Sequence, residues 1–206
     1  MNKTTADALV KLRMVLWGLV GVAVIGAGIL FWNQSQSKPE AGFGGPFELQ
    51  STLGGSFTRD DLAEIPSLIL FGFTSCPDVC PTTLTQMINW RNELNVDENT
   101  LRIIFVSIDP ERDNNEIMQE YLSRFSSPII GLTGSIEQVE IAKQSFGVFA
   151  EKIIDTNASA EEQANYDMDH TASVLMFDRD GRFAGTINFE DSLADILNKA
   201  NSLIRN

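Results

Sequence analysis

Apolar and polar residues change period several times along this 206-residue chain, and each change marks a predicted element. Met14 to Trp32 (MVLWGLVGVAVIGAGILFW) is apolar throughout and carries no charge. A helix of that length extends roughly 28 Å, close to the hydrocarbon thickness of a bilayer. Asn33 to Pro46 is polar and then Gly-rich, which suits a linker. Phe47 to Leu62 holds two short alternating runs around Gly54-Gly55, a hairpin signal. Ser67 to Phe73 (SLILFGF) is continuously apolar, as expected of a strand buried on both faces. Pro77 to Leu94 places Leu84, Met87, Ile88 and Leu94 at helical spacing, and prolines suit its start. Met87 and Trp90 fall to its core face.

The alternation continues. Leu101–Ile108 reads as a second central strand, Asn114–Phe125 as a helix, Ile129–Leu132 as a strand and Ile136–Phe146 as a helix. Val148–Ile154 reads as a further strand. Asp155–Asp169 reads as an acidic loop with no basic residue. Ser173–Phe177 and Arg182–Ile187 flank Asp178-Arg179-Asp180-Gly181, a second hairpin. A last helix follows Glu190-Asp191, acidic residues that favour its N-terminus.

This order predicts an α/β fold: an N-terminal β-hairpin, helix-linked parallel strands, then an antiparallel hairpin and a helix. The result is a mixed central sheet flanked by helices. A cysteine motif between the first core strand and its helix is the thioredoxin-like arrangement. Four regions are expected: a cytoplasmic N-terminus (1–13), a single transmembrane anchor (14–32), a linker (33–46) and one folded domain (47–206). Trp17 and Trp32 sit near the ends of the apolar run, where aromatic rings prefer the membrane interface. Lys3, Lys11 and Arg13 precede it, and basic flanks stay in the cytoplasm. The following NQSQSKPE offers no A-x-A cleavage site, which favours an anchor over a removed signal peptide. The folded domain is therefore expected outside the cytoplasm, in the periplasm or its equivalent at a bacterial inner (cell) membrane.

Charge narrows the function. The chain carries 28 acidic and 15 basic residues, a formal net charge of −13. A nucleic-acid binder needs a basic surface, so that class is disfavoured. Two cysteines alone do not make a disulfide-rich scaffold.

Both cysteines lie in FGFTSCPDVCP, Phe71 to Pro81. Cys76 and Cys80 could form a structural disulfide, but a bridge across five residues restricts the unfolded chain little. With Cys80 on the first helical turn, the two Cβ atoms stand roughly 5–6 Å apart. That is somewhat wider than the 3.5–4.5 Å or so of a relaxed disulfide. It lets two sulfurs reach one ion through bonds of about 2.3 Å. A helix N-terminus lowers thiol pKa values, which serves redox attack and metal ligation alike. The sole histidine, His170 in NYDMDHTAS, precedes the strand SVLMF. If that strand neighbours Ser67–Phe73, the loop before it approaches the cysteines. Thioredoxin-like oxidoreductases place a cis-proline there; this chain has no proline after Pro128. Two thiolates and an imidazole suit copper or zinc. Met168 and Asp169 beside the histidine read as loop residues rather than ligands. A redox pair and a metal site both stand on this reading.

Four stretches together resemble the Sco (SenC/PrrC) family of membrane-anchored copper proteins: FGFTSCPDVCP (71–81), FVSIDPERD (105–113), IIGLTGS (129–135) and DMDHTASVLMFD (167–178). The resemblance extends from about Phe47 to the C-terminus. It implies a thioredoxin-like fold that binds one copper ion, as Cu(I) or Cu(II), through Cys76, Cys80 and His170. It also implies copper delivery to, or thiol maintenance of, the binuclear copper site of cytochrome c oxidase subunit II. The same cysteine pair would serve a thiol-disulfide oxidoreductase or a copper or redox sensor. Ser75 stands where family members often carry another residue, such as histidine. Asp109 and Asp113 match a family motif and read locally as an Asp-Pro turn leading into a helix.

Overall fold

The computed structural model describes residues 43–154, 159, 166–188 and 190–205, and residues 13, 14, 16–18 and 20 near the N-terminus. The chain divides into two units, Met1–Glu40 and Ala41–Asn206. In the first, the described residues are helical. No helix among the described residues is long and apolar enough to cross a membrane. Most of the expected anchor, residues 14–32, lies outside the described residues, as do the greater part of the linker and residues 155–158 and 160–165 of the acidic segment.

The second unit is built on a seven-stranded mixed sheet. Its strands are β1 (Glu48–Ser51), β2 (Ser56–Thr58), β3 (Ser67–Gly72), β4 (Arg102–Ser107), β5 (Ile130–Thr133), β8 (Val174–Phe177) and β9 (Phe183–Ile187). They lie in the order β2-β1-β5-β4-β3-β8-β9. Every residue of β3 is buried. It is an interior strand, pairing parallel with β4 and antiparallel with β8. That neighbour is the one expected from the apolar run at 173–177. The N-terminal hairpin turns at Gly54 and Gly55, both at positive φ (92° and 74°), and adds two strands beyond β5. Asp178–Gly181 turns the second hairpin, with Gly181 at φ 67°.

Among the described residues, four α-helices flank this thioredoxin-like α/β fold: α1 (Val79–Glu93), α2 (Asn115–Leu122), α3 (Ile136–Phe146) and α4 (Leu193–Arg205). Strands β3, β4 and β5 step across the sheet in one direction, so right-handed crossovers put α1 and α2 on the same face. That face presents Leu70, Gly72 and Phe105; Phe105 packs on Tyr121 of α2. The opposite face presents Phe71 and Phe177, which meet Phe146 of α3 at 5.1 and 5.4 Å between ring centroids. Ser135 starts α3 with a full capping box, and Gly147 ends it in the left-handed region.

The reading of residues 148–170 is corrected in two places. β6 (Ala150–Ile153) forms where a strand was expected, but it does not join the central sheet. It pairs antiparallel with β7 (Asp167–His170), giving a separate two-stranded sheet. Asp167, Met168 and Asp169 are therefore strand residues, not the end of a loop. Met168 is buried in the core, 8% exposed. An acidic stretch with one apolar residue shows no period-2 signal, so the strand depends on its partner rather than on its own pattern.

Candidate metal centre

The cysteines sit where β3 runs into the helix that follows it. β3 ends at Gly72; Phe73 and the turn that follows carry the chain to Asp78, from which α1 starts. Cys76 N–H donates to the Phe73 carbonyl at 3.2 Å, closing that turn. Cys80 lies in the first turn of α1, and its N–H points at Cys76 Sγ, 3.4 Å away. The two side chains therefore share one side of the helix start, as the spacing predicted. Both thiols are free and buried, at 9% and 1% exposure. Burial pushes the Cys80 thiol far above its ordinary range, and the neighbouring Cys76 and Asp113 act in the same direction. Desolvation is the largest influence on this thiol, and it opposes the lowering expected of a helix N-terminus.

Gly72 lets Cys80 pack this closely. A Cβ at that position would stand 2.6 Å from Cys80 Sγ and 2.7 Å from Phe105 Cε2. The motif residue Asp113, 1% exposed, braces the turn from below. Its carboxylate accepts from Thr74 N–H (3.0 Å), Thr74 Oγ1 (2.5 Å) and Ser107 Oγ (2.7 Å). Burial raises its pKa against the pull of those three donors. Thr74 is thus held from outside its own segment two residues before Cys76.

His170 closes β7. Its Nδ1 lies 2.9 Å from the Thr171 carbonyl, which can only accept. Nδ1 therefore donates, and the ring nitrogen left to ligate a metal is Nε2. The ring meets Phe73 edge to face, at 5.9 Å between centroids. Phe73 thus touches the histidine with its ring and Cys76 with its backbone carbonyl. The structure brings the two thiols together and sets His170 across Phe73 from them. It does not converge all three: among the described residues no group of three His, Cys, Asp or Glu is arranged to hold an ion. In donor chemistry the set fits a soft metal; in position, the histidine has still to close on the sulfurs.

Pattern reading placed Asp109 in a motif but missed its partners Arg112 and Tyr166, the latter one residue before β7. Asp109, 1% exposed, pairs with Arg112 Nε and accepts from Tyr166 Oη at 2.5 Å. Burial, followed by that hydrogen bond, pushes the Tyr166 phenol far above its ordinary range, so it stays a donor. The one available signal was an aromatic residue in an otherwise acidic stretch. Met87 and Trp90 are core residues, as expected.

The chain as a whole is similar to known proteins. The SCO2-like protein of Rickettsia prowazekii is 32% identical over 197 residues, covering 91% of this chain and 93% of that protein. The copper-bound structure of Bradyrhizobium japonicum ScoI superposes with a TM-score of 0.67 at 36% identity, covering 79% of this chain and 98% of that one. Copper-bound yeast Sco1 gives a TM-score of 0.69 at 31% identity, covering 80% and 89%. The SCO1/SenC family profile matches residues 35–205, a span that holds Cys76, Cys80, His170 and the Asp109–Asp113 segment, and the chain therefore belongs to the SCO1/SenC family.

Proposed function

We propose that this chain is a membrane-anchored copper-binding protein that holds one ion through Cys76, Cys80 and His170. Its role is to deliver that ion to, or to keep reduced the thiols of, the binuclear copper site of cytochrome c oxidase subunit II. The observation that carries the reading is the pairing of two free, buried thiols with a histidine whose Nε2 is left open by the Nδ1–Thr171 hydrogen bond. Copper is present in the structures of two relatives, from B. japonicum and yeast. Two thiolates and an imidazole suit Cu(I), and with further ligands Cu(II).

The chain's own residues set the conditions of loading. The buried Cys80 thiol stays protonated until a metal displaces its proton, so loading releases protons and strengthens as pH rises. Asp113 and Thr74 hold the cysteine turn in place while His170 closes across Phe73. Anchoring through residues 14–32, with residues 1–13 in the cytoplasm and the domain in the periplasm, keeps the site at the membrane surface. Leu16, Trp17 and Val20 of that stretch are helical and exposed, as a lipid-facing segment requires.

The test is copper titration of the reduced full-length chain, followed by absorption spectroscopy. One equivalent binds, and Cu(II) gives a thiolate charge-transfer band that is lost in Cys76→Ser and in Cys80→Ser. His170→Ala weakens binding and leaves the thiol pair redox-active. Undiminished affinity in either cysteine variant overturns the reading.

A further inference from the structure

The histidine is carried by the least supported element of the domain. Among the described residues β6 and β7 pair only with each other, and a lone two-stranded sheet is marginal in water. Glu151, Ile153, Asp167 and Asp169 are exposed, and Met168 is the buried apolar anchor. Besides Met168 and a hydrogen bond from Lys143 Nζ of α3 to the Ala150 carbonyl (3.2 Å), a polar clasp on the β4–α2 loop holds this sheet against the body. Tyr166, one residue before β7, donates to Asp109 at 2.5 Å. Arg112 Nη1 donates to the Tyr166 carbonyl at 2.8 Å. The Tyr166 ring lies between two cations, Arg112 at 3.8 Å and Lys152 of β6 at 4.5 Å. Lys152 in turn pairs with Glu111 at 2.6 Å. Arg112 also stands over the Phe73 ring at 5.8 Å, on the residue that meets His170.

From this geometry we propose that Tyr166, clasped by Asp109 and Arg112, is the positioning residue that seats β7 and presents His170 to the cysteines. The proposal rests on the reading of His170 as a ligand. Tyr166 lies four residues before His170, about 13 Å along an extended strand. Such a strand is stiff enough to transmit where its first residue is pinned. The Asp109–Asp113 segment then does two jobs from one turn: Asp113 fixes the cysteine side through Thr74, and Asp109 with Arg112 fixes the histidine side through Tyr166. Release of the clasp frees β7 and lets His170 leave its place against Phe73 without altering any ligand.

The experiment uses the full-length chain in wild-type form and as Tyr166→Phe, Tyr166→Ala, Arg112→Lys, Asp109→Asn and His170→Ala. Copper affinity is measured by competition, imidazole ligation by nitrogen hyperfine structure in the Cu(II) resonance spectrum, and thiolate ligation by the charge-transfer band. Amide exchange of the metal-free chain reports strand seating. Outer groups that orient a ligating histidine typically contribute about 10–100-fold in affinity. Tyr166→Ala loses affinity in that range and loses the nitrogen signature, while the thiolate band remains. Tyr166→Phe, which keeps the ring between its cations, loses less. Asp109→Asn, whose amide oxygen can accept from Tyr166 Oη or from Arg112 Nε but not from both, loses an intermediate amount. Arg112→Lys keeps the charge but not the fork and behaves like Tyr166→Ala. Exchange of β6–β7 amides quickens about tenfold or more in Tyr166→Phe, while β3 and β4 stay protected. A wild-type nitrogen signature that both Tyr166 variants retain at full affinity overturns the clasp alone. Equal acceleration of β3–β4 and β6–β7 also overturns it, since that is global destabilisation. A wild type without a His170-dependent signature overturns the ligand reading and the clasp together.

Discussion

Gly72→Ala probes how tightly the sheet holds the cysteine site. The added Cβ would stand 2.6 Å from Cys80 Sγ and 2.7 Å from Phe105 Cε2, with Phe105 Cζ at 3.2 Å. Ordinary contacts of this kind lie near 3.5–4 Å, so the neighbours must retreat by about 1 Å. Neither has room: Cys80 is 1% exposed and Phe105 is fully buried between the sheet and Tyr121. Overpacking of this kind costs about 1–3 kcal/mol. In a chain of this size each kcal/mol moves the melting temperature by about 2–4 °C, which gives a fall of about 2–12 °C. Thermal melts of the reduced, metal-free chain measure it. A double-mutant cycle isolates the sulfur: in a Cys80→Ala background the Gly72→Ala penalty shrinks, with a coupling of about 0.5–3 kcal/mol. Part of the penalty persists there, because the Phe105 contact is still in place. A Gly72→Ala melt indistinguishable from wild type, or an equal penalty in both backgrounds, would refute the reasoning and show slack packing beneath Cys80.

Three further outcomes follow from the same contacts. Asp113→Ala leaves the Thr74 amide, the Thr74 hydroxyl and the Ser107 hydroxyl without their acceptor; at about 1–3 kcal/mol per unsatisfied buried group, urea unfolding shows a clear loss of stability, and the cysteines react faster with an aromatic disulfide reagent. Ser135→Ala removes the α3 capping box and lowers stability by about 1 kcal/mol, with copper affinity unchanged because α3 lies on the other face of the sheet. Full oxidation of Cys76 and Cys80 to a disulfide, confirmed by thiol counting, abolishes copper binding because no thiolate remains; retained affinity would place the ion elsewhere.

Much of the fold was legible because its signals are local. The SLILFGF run is buried on both faces, and the DRDG turn and the double-glycine turn both take the left-handed conformations their residues allow. The juxtaposition of Cys76 with Cys80 also follows from local spacing, one strand end feeding one helix start. The approach of His170 to the cysteines required that 173–177 lie beside 67–73, and that condition holds: β8 pairs with β3.

Other features needed the tertiary structure. His170 lies on a strand whose partner is separated from it by the acidic segment, and no periodicity in DMDH announces that pairing. The sign of the Cys80 shift depends on how much protein covers the thiol, a quantity that a motif does not carry. Phe73 as the bridge between His170 and Cys76, and Tyr166 on Asp109 and Arg112, join segments far apart in the chain. The sequence by itself determined which groups can ligate, the spacing of the two thiols and the strand that carries them, because residue type and near-neighbour geometry are local properties. Only the tertiary structure decided where the imidazole stands, how deeply the thiols are buried and what braces them, because those depend on contacts between distant segments that local pattern does not encode.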